Sequence, residues 1–354
     1  MKAGIESKKA LAAAGVFISL MVGAGFATGR ELLTFFAKSG ALGVAGFAVS
    51  CAVLALCGWA VMDITFRRRI RGYSEFMSLV LGKRLGRVMV FLVNIFIFVM
   101  MATMFSGFGE AMTQAVSFNY SAGVIFMAAL CFLTFLFDLK GIVRVSAVLA
   151  PVLVVGGLFF GIFQVLTDTA AVFLPFRTGA FGFLWPAAIY ASYNLLTAVS
   201  VLSTMGNEIV SRKTAKRAAF ISGAVIFILG LAFLAPIYLN FNMLRDVPVP
   251  LLALAERGGG GIEAVYLVVL IAAIFTTSVS SGFAVIEWLH PLVKKRLSRT
   301  AVKILVTLAG VLLAHIGFNA FIEKAYPLFG YIGLFQIAAI LLYFAFGEKE
   351  TAAA

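Results

Sequence analysis

The stretch Val22-Gly23-Ala24-Gly25-Phe26-Ala27-Thr28-Gly29 places three glycines at the centre of the first long apolar segment, residues 10–37. Glycine costs about 0.8–1 kcal/mol relative to alanine inside a helix, so the helix is weakest where it would lie deepest in a bilayer. Backbone groups that open at that depth stay unpaired unless they line a buried or water-filled cavity. The glycine cluster therefore predicts a broken helix, and the break predicts a ligand site.

The composition is typical of a protein that crosses a membrane many times. Of the 354 residues, 62% are hydrophobic and 12% are charged, and the mean hydropathy is +1.07. Apolar stretches long enough to cross about 30 Å of hydrocarbon recur along the chain. We predict an all-α polytopic membrane protein with ten transmembrane spans, at residues 10–37, 41–66, 88–112, 121–138, 145–167, 183–206, 218–241, 262–288, 301–318 and 326–346. This pattern excludes the soluble enzyme classes.

The basic residues orient these spans. The chain carries 28 lysines and arginines, and with both termini in the cytoplasm all but six of them fall on the cytoplasmic side. This is the positive-inside asymmetry of a multi-pass protein in the cytoplasmic (inner) membrane. It explains the excess of basic residues, so no nucleic acid partner is predicted. The alternative for the first segment is a secretory signal peptide beginning at Lys8-Lys9. The apolar pattern continues through Phe35-Phe36, however, which is too long for a signal peptide.

Ten spans divide into two sets of five within a single transmembrane domain, residues 1–354. The first set is predicted at residues 10–168 and the second at residues 183–346. Because each set has an odd number of spans, the second enters the membrane from the opposite side, which is the topology of an inverted repeat. Span 6 then corresponds to span 1 and is predicted to be broken as well, at the consecutive polar residues Ser192-Tyr193-Asn194.

Span 8 carries the densest group of hydroxyl side chains in the predicted membrane region. Ala273, Thr276 and Thr277 have the i, i+3, i+4 spacing that places residues on one helix face. A carbonyl and two hydroxyls on that face, opposite the free carbonyls of a broken span 1, predict a sodium site without a carboxylate. The alternative is that these small polar residues serve only helix packing.

The segment Gly23–Leu32, with the sequence GAGFATGREL, resembles the YkvI-type family of amino acid permeases, and the ten-span pattern resembles the LeuT-type fold of the amino acid–polyamine–organocation superfamily. The resemblance covers nearly the whole chain. It implies a sodium ion held by the carbonyls of Ser19 and Val22 together with Ala273, Thr276 and Thr277. It also implies a substrate pocket at Gly23, Ala24, Gly25, Phe26, Ala191, Ser192, Tyr193 and Asn194. Some proton-coupled members carry a span 5 lysine, which is missing here, so the resemblance favours sodium as the coupling ion and no other cofactor.

Four charged residues near the ends of the spans are predicted to form gates. Arg30 and Glu31 lie about one to two helical turns outward of the glycines and are predicted to form an outer gate with Glu110 or Glu323. Glu208 and Glu287 lie near the inner ends of spans 6 and 8, within reach of Lys8 or Lys9. The alternatives are an ordinary interfacial ion pair outside and ordinary surface charge inside.

The sequence therefore predicts a secondary active transporter, a sodium-coupled symporter of a small amino acid or related carboxylate. The first alternative is a proton-coupled carrier of a polyamine or nucleobase. Of these, a polyamine is disfavoured because the predicted breaks carry no carboxylate. The second alternative is a channel or receptor. An intramembrane enzyme is the weakest alternative, since the sequence predicts no set of metal-binding residues and no catalytic dyad at mid-membrane depth. Substrate identity, stoichiometry and oligomeric state are left open.

Overall fold

The computed structural model describes residues 2–136, 140–167, 179 and 181–347, and within these ranges the chain is helical with no strand. The helices of the first half are α1 (Lys2–Met21), α2 (Ala24–Ala27), α3 (Arg30–Phe35), α4 (Leu42–Arg68), α5 (Tyr73–Val116), α6 (Tyr120–Leu136) and α7 (Lys140–Thr167). Those of the second half are α8 (Leu184–Leu202), α9 (Arg212–Leu239), α10 (Phe241–Leu244), α11 (Pro250–Arg257), α12 (Gly260–Val293), α13 (Arg299–Ala314), α14 (Phe318–Ala320) and α15 (Tyr326–Phe346). The predicted ends of span 4 and of the first repeat, residues 138 and 168, lie outside the described residues.

The ten predicted spans map in order onto α1–α3, α4, α5, α6, α7, α8, α9, α12, α13 and α15. By length and apolar composition alone, five helical stretches of the described chain are able to cross a bilayer: α4, α5, α9, α12 and the stretch from α14 to α15. The helix α6 and the second part of α7 are shorter apolar helices. The predicted all-helical polytopic class is confirmed.

The helices form two groups of four, each with two members from either half. Spans 1, 2, 6 and 7 pack together through contacts of α1 and α4 with α8 and α9. Spans 3, 4, 8 and 9 pack together through contacts among α5, α6, α12 and α13. Span 5 (α7) touches α1, α9 and α12, and span 10 (α15) touches the counterparts α8, α4 and α5. The contacts are therefore preserved when the two halves are exchanged, as an inverted repeat requires.

The first span is broken twice. The helix α1 ends at Met21 and α2 begins at Ala24, so the first break falls at Val22-Gly23. The second falls at Thr28-Gly29, where Gly29 has a φ of 77°, a left-handed conformation that favours glycine. The protein closes this second break with its own hydrogen bonds, because Leu251 donates its amide to the Thr28 carbonyl (3.1 Å) and Tyr266 donates its hydroxyl to the Ala27 carbonyl. The first break is the one left open.

The predicted break of span 6 at Ser192-Tyr193-Asn194 is wrong. The helix α8 runs unbroken through these residues, and the interruption follows Leu202 as a turn and a short 3-10 helix, Met205–Asn207. Two of the polar side chains bond to the helix itself: Ser192 Oγ donates to the Ile189 carbonyl (2.8 Å) and Asn194 Nδ2 to the Tyr190 carbonyl (2.9 Å). Such local bonds satisfy polar groups without opening the backbone.

Candidate functional site

The first break leaves backbone groups of both polarities without partners. Val22 donates its amide to Ile18 and Ala27 donates to Gly23, but among the described backbone hydrogen bonds none joins Gly23, Gly25 or Phe26 to the carbonyl four residues earlier. The carbonyls of Ser19, Met21 and Val22 are thereby released. Oxygen atoms of this kind suit a cation at the end of one half-helix, and the free amides suit an anionic group at the start of the next.

A cavity of about 170 Å³ lies beside this break, between α1, α5, α8 and α12. We call it the hydroxyl cavity, because seven of its lining residues carry hydroxyl groups: Ser19, Thr197, Ser200, Thr276, Thr277, Ser280 and Ser281. The rest of its lining is apolar, and none of the described lining residues is charged. It extends from the break toward the predicted cytoplasmic ends of α8 and α12.

The structure brings four of the five predicted sodium-site residues to this cavity: Ser19, Val22, Thr276 and Thr277. Thr276 donates its hydroxyl to the carbonyls of Ala272 and Ala273 (2.9 and 3.1 Å), which leaves oxygen lone pairs free to accept a cation. Among the described residues, the Thr277 hydroxyl has no hydrogen-bond partner. Ala273 is not among the residues that line the cavity: it is 1% exposed, and its carbonyl accepts the hydrogen bond from the Thr276 hydroxyl.

A second, smaller space of about 20 Å³ adjoins the hydroxyl cavity. We call it the Glu31 pocket. It shares Leu20, Met100, Thr197 and Thr277 with the hydroxyl cavity. Its other lining residues are Met21, Gly23, Gly25, Phe26, Glu31, Met104, Tyr193, Asn194 and Tyr326. Five residues of the predicted substrate site, namely Gly23, Gly25, Phe26, Tyr193 and Asn194, therefore lie around one space.

Of the other three predicted substrate residues, Ala191 and Ser192 do not line this pocket. The side chain of Ala24 lies outside the described part of the structure. Ala191 is fully buried. Ser192 is also fully buried, and its hydroxyl donates to the Gly330 carbonyl of α15 (2.7 Å) as well as to its own helix. Ser192 therefore serves packing between α8 and α15. Phe26 lines the pocket but also packs against Phe233, with a ring-centroid distance of 5.7 Å.

Glu31 lies in the pocket and not in the outer gate, so its predicted pairing with Glu110 or Glu323 as part of a gate is wrong. The helix is interrupted at Gly29, which has a positive φ, and the Glu31 carboxyl group lies beside Gly25. A Cβ atom added to Gly25 would lie only 1.9 Å from Glu31 Oε1. Glu31 is 6% exposed and makes no ion pair with any described residue. The expectation that the breaks carry no carboxylate is corrected accordingly.

Arg30, the neighbour of Glu31, forms the outer connection by itself. Its guanidinium group donates to the carbonyls of Arg245 and Val247 (3.0 and 3.1 Å) and to Glu323 Oε1 (2.9 Å). Lys38 also donates to Glu323 Oε1 (3.0 Å). This cluster, which we call the outer clamp, ties α3 to the segment between α10 and α11 and to the turn before α15.

On the opposite side, the two predicted inner-gate glutamates have different partners. Glu208 pairs with Lys9 and so connects the end of span 6 to α1. Glu287 pairs with Arg299 of α13 instead of Lys8 or Lys9, so it does not link to α1. Asp63, which is fully buried, joins α4 to α9 through Arg67 (2.8 Å) and Arg212 (2.9 Å).

Sequence reasoning missed the pocket roles of Glu31 and Tyr326 and the cavity positions of Thr197, Ser200, Ser280 and Ser281. The hydroxyl residues repeat at helical spacing on α8 and α12, a pattern that could have indicated a shared polar face. For Glu31, the sequence offered one indication, the glycine two residues before it. For Tyr326, which lies on the last span, no local pattern indicated a position in the pocket.

Comparison with known proteins places the chain among membrane transport folds. No protein-family profile matches it. It is 27% identical over 341 residues to the uncharacterized membrane protein YkvI of Bacillus subtilis (strain 168), covering 92% of this chain and 93% of YkvI. It is 24% identical over 329 residues to the uncharacterized protein YyaD of the same organism, covering 93% and 95% of the two chains. The resemblance to the YkvI proteins thus extends over nearly the whole length.

Among solved structures, the chain matches Mhp1 in its inward-facing conformation with a TM-score of 0.69, at 12% identity over 95% of this chain and 76% of Mhp1. The chain has the LeuT-type fold. With the same fold, the manganese transporter of Eremococcus coleocola matches at a TM-score of 0.67 and 14% identity, over 95% and 79% of the two chains. Both solved LeuT-type structures are of transporters and not of enzymes.

Mhp1, a nucleobase-cation-symport-1 family transporter, has been solved closed with bromovinylhydantoin bound, and that structure matches at a lower TM-score of 0.59, over 88% of this chain and 73% of Mhp1. The inward-facing conformation of the same protein is therefore the better match.

Proposed function

We propose that this protein is a secondary active transporter that couples inward sodium flow to the uptake of a small amino acid or related carboxylate. The observation that carries the proposal is the hydroxyl cavity at the open break of span 1, between the two four-helix groups. Unpaired backbone groups at mid-membrane depth are costly unless a ligand or water satisfies them. The fold shared with solved transporters supports the same conclusion.

Sodium binds, in this proposal, between the free carbonyls of Ser19 and Val22 and the hydroxyls of Thr276 and Thr277. All four residues line one cavity. Neutral oxygen ligands from two helices of different four-helix groups form a site that is complete only when the groups are in the right relative position. Binding of sodium therefore favours one conformation over another, which is what coupling by population shift requires.

The substrate binds next to the sodium ion, with its carboxylate at the free amides of Gly23 and Gly25 and its body in the hydroxyl cavity. A carboxylate and a sodium ion at one break stabilise each other, which gives a direct coupling free energy between the two ligands. The outer clamp at Arg30 and the Lys9–Glu208 pair act as outer and inner gates. The two repeats, residues 10–168 and 183–346, form one domain in the cytoplasmic membrane with both termini in the cytoplasm.

A second candidate function is a proton-coupled carrier of an organic cation such as a polyamine. The position of Glu31 favours it, since a carboxyl group does line the binding region. The two candidates differ in their need for sodium.

A thermal-shift screen of the purified protein against amino acids, polyamines and nucleobases, with sodium or potassium as the only salt cation, tests the proposal. A ligand at 100 times its Kd stabilises the folded protein by about 2.7 kcal/mol. We expect amino acids to stabilise only in sodium, and the Thr276→Ala, Thr277→Ala double variant to lose this dependence. Ser278→Ala is the matched control, because this fully buried neighbour directs its hydroxyl to the Ile274 carbonyl and not to the cavity. Stabilisation that is equal in sodium and potassium contradicts sodium coupling.

A further inference from the structure

Glu31 is a buried carboxyl group that has no counter-ion among the residues the structure describes. Its neighbour Arg30 is committed to the outer clamp through Glu323 and two carbonyls. The groups that face Glu31 from the packed helices are neutral: Tyr193 of α8 and Tyr326 of α15. No lysine, arginine or histidine is among the residues that line its pocket.

The two tyrosines are themselves incompletely bonded. The hydroxyl groups of Tyr193 and Tyr326 are buried, and neither makes a hydrogen bond of standard geometry. A buried hydroxyl group that lacks a partner costs free energy, as does a buried carboxylate without a cation. Three polar groups of this kind around one small space are satisfied together by a ligand that carries positive charge and several N–H donors, since a tyrosine hydroxyl also accepts hydrogen bonds.

The volumes indicate how such a ligand lies. A space of about 20 Å³ is close to what a single water molecule needs, so it admits one ammonium group and not a whole substrate molecule. The adjoining hydroxyl cavity of about 170 Å³ has room for the rest of the molecule and offers it hydroxyl and apolar surface without charge. Thr277 lies on the wall between the two spaces and contributes to both.

We propose that Glu31 binds the cationic nitrogen of the substrate, with Tyr193 and Tyr326 accepting its remaining hydrogen bonds. This assignment rests on the proposed function and narrows it: the transported molecule carries an amino group, and a simple carboxylate without one is a poor ligand. An amino acid then spans the break with its ammonium group at Glu31 and its carboxylate at the free amides of Gly23 and Gly25.

Paired ligands that differ only in the nitrogen test this assignment. L-alanine with L-lactate and L-serine with L-glycerate each exchange an ammonium group for a hydroxyl group. Their Kd values are measured in detergent, in sodium, for the wild type, Glu31→Gln and the control Glu110→Gln, which removes a carboxylate of α5 that lines neither space. We expect the wild type and the control to bind each amine at least about 10-fold more tightly than its hydroxy partner, and Glu31→Gln to lose this preference.

Glu31→Asp keeps the negative charge but shortens the side chain by one methylene group. We expect this variant to show an intermediate preference for the amine over its hydroxy partner. It replaces Glu31→Gln in the test if the glutamine variant does not fold. A preference that persists unchanged in Glu31→Gln overturns the assignment, as does a wild type that binds neither amine better than its hydroxy partner. Because the measurement needs no gradient, a protein that shows the expected preference but no transport contradicts only the proposed function.

Discussion

The substitution Gly25→Ala tests whether Glu31 belongs in the substrate site, because it displaces the carboxyl group without removing it. Gly25 does not have a positive φ, so alanine fits the local backbone. Its Cβ would lie 1.9 Å from Glu31 Oε1 and 2.5 Å from Cδ, whereas ordinary contact begins at 3.4 Å. The carboxyl group must therefore withdraw by about 1.5 Å, the difference between 3.4 and 1.9 Å.

A shift of this size is enough to break a hydrogen bond between the carboxylate and a substrate ammonium group. Such a bond to a charged group contributes about 1.5–3 kcal/mol, which corresponds to a Kd raised roughly 10- to 150-fold. Gly15→Ala is the matched control, since no atom lies within 4 Å of the Cβ that it would add. It adds the same methyl group to span 1 at a residue that lines neither space, and is expected to change the Kd of L-alanine less than about 3-fold.

Isothermal titration of L-alanine into each purified variant measures the effect, and a double-mutant cycle with Glu31→Gln assigns its cause. If Gly25→Ala acts by moving Glu31, it has little further effect once the carboxylate is gone, so the two substitutions are strongly non-additive. Equal affinity of Gly25→Ala and Gly15→Ala refutes the reasoning. Full additivity refutes it as well, because the methyl group then acts on the substrate directly.

Three further predictions concern the elements around the site. Ser192→Ala removes the hydrogen bond from α8 to the Gly330 carbonyl, so thermal unfolding should show a loss of about 1 kcal/mol with the ligand Kd unchanged; a weaker Kd would return Ser192 to the substrate site. Asp63→Asn removes the charge of the buried carboxylate that binds Arg67 and Arg212 and should cost about 3 kcal/mol in unfolding free energy, and an unchanged melting temperature would contradict this prediction. Arg30→Lys cannot serve two carbonyls and Glu323 at once, so amide hydrogen exchange at residues 241–247 should accelerate at least about 10-fold; exchange at the wild-type rate would show that the outer clamp does not hold this segment.

Much of the fold follows from local patterns in the sequence. The number and order of the spans depend on apolar length, which the bilayer thickness fixes. The first break depends on helix propensity, and Gly23 and Gly25 are enough to reveal it. The i, i+3, i+4 spacing on span 8 depends only on helix geometry, and it correctly places Thr276 and Thr277 on the cavity wall.

The errors have a different physical origin. The polar residues Ser192 and Asn194 predicted a break in span 6. A polar side chain inside a helix can instead donate a hydrogen bond to a carbonyl of the preceding turn, as both do here. The sequence does not show which of the two arrangements has the lower free energy. Ala273 was placed with the threonines by spacing, but helix geometry does not decide which carbonyl reaches the cavity.

Glu31 could not be placed from the sequence because its position depends on a turn and on four other helices, α5, α8, α12 and α15. In a continuous helix it would lie outward of the glycines, as predicted. The left-handed conformation at Gly29 instead brings the carboxyl group back beside Gly25, and the space that receives it is closed by α8 and α15. Such a position is a property of the tertiary fold.

Sodium-driven accumulation of labelled L-alanine in proteoliposomes tests the central claim most directly. With sodium outside and potassium inside, the account predicts that the wild type and Ser278→Ala concentrate the label above its external level. Equal sodium on both sides abolishes the accumulation. The Thr276→Ala, Thr277→Ala variant inserts into the membrane but shows no sodium-dependent uptake. Accumulation that follows a proton gradient and is the same without sodium, or sodium-dependent uptake that survives in the double variant, would contradict it.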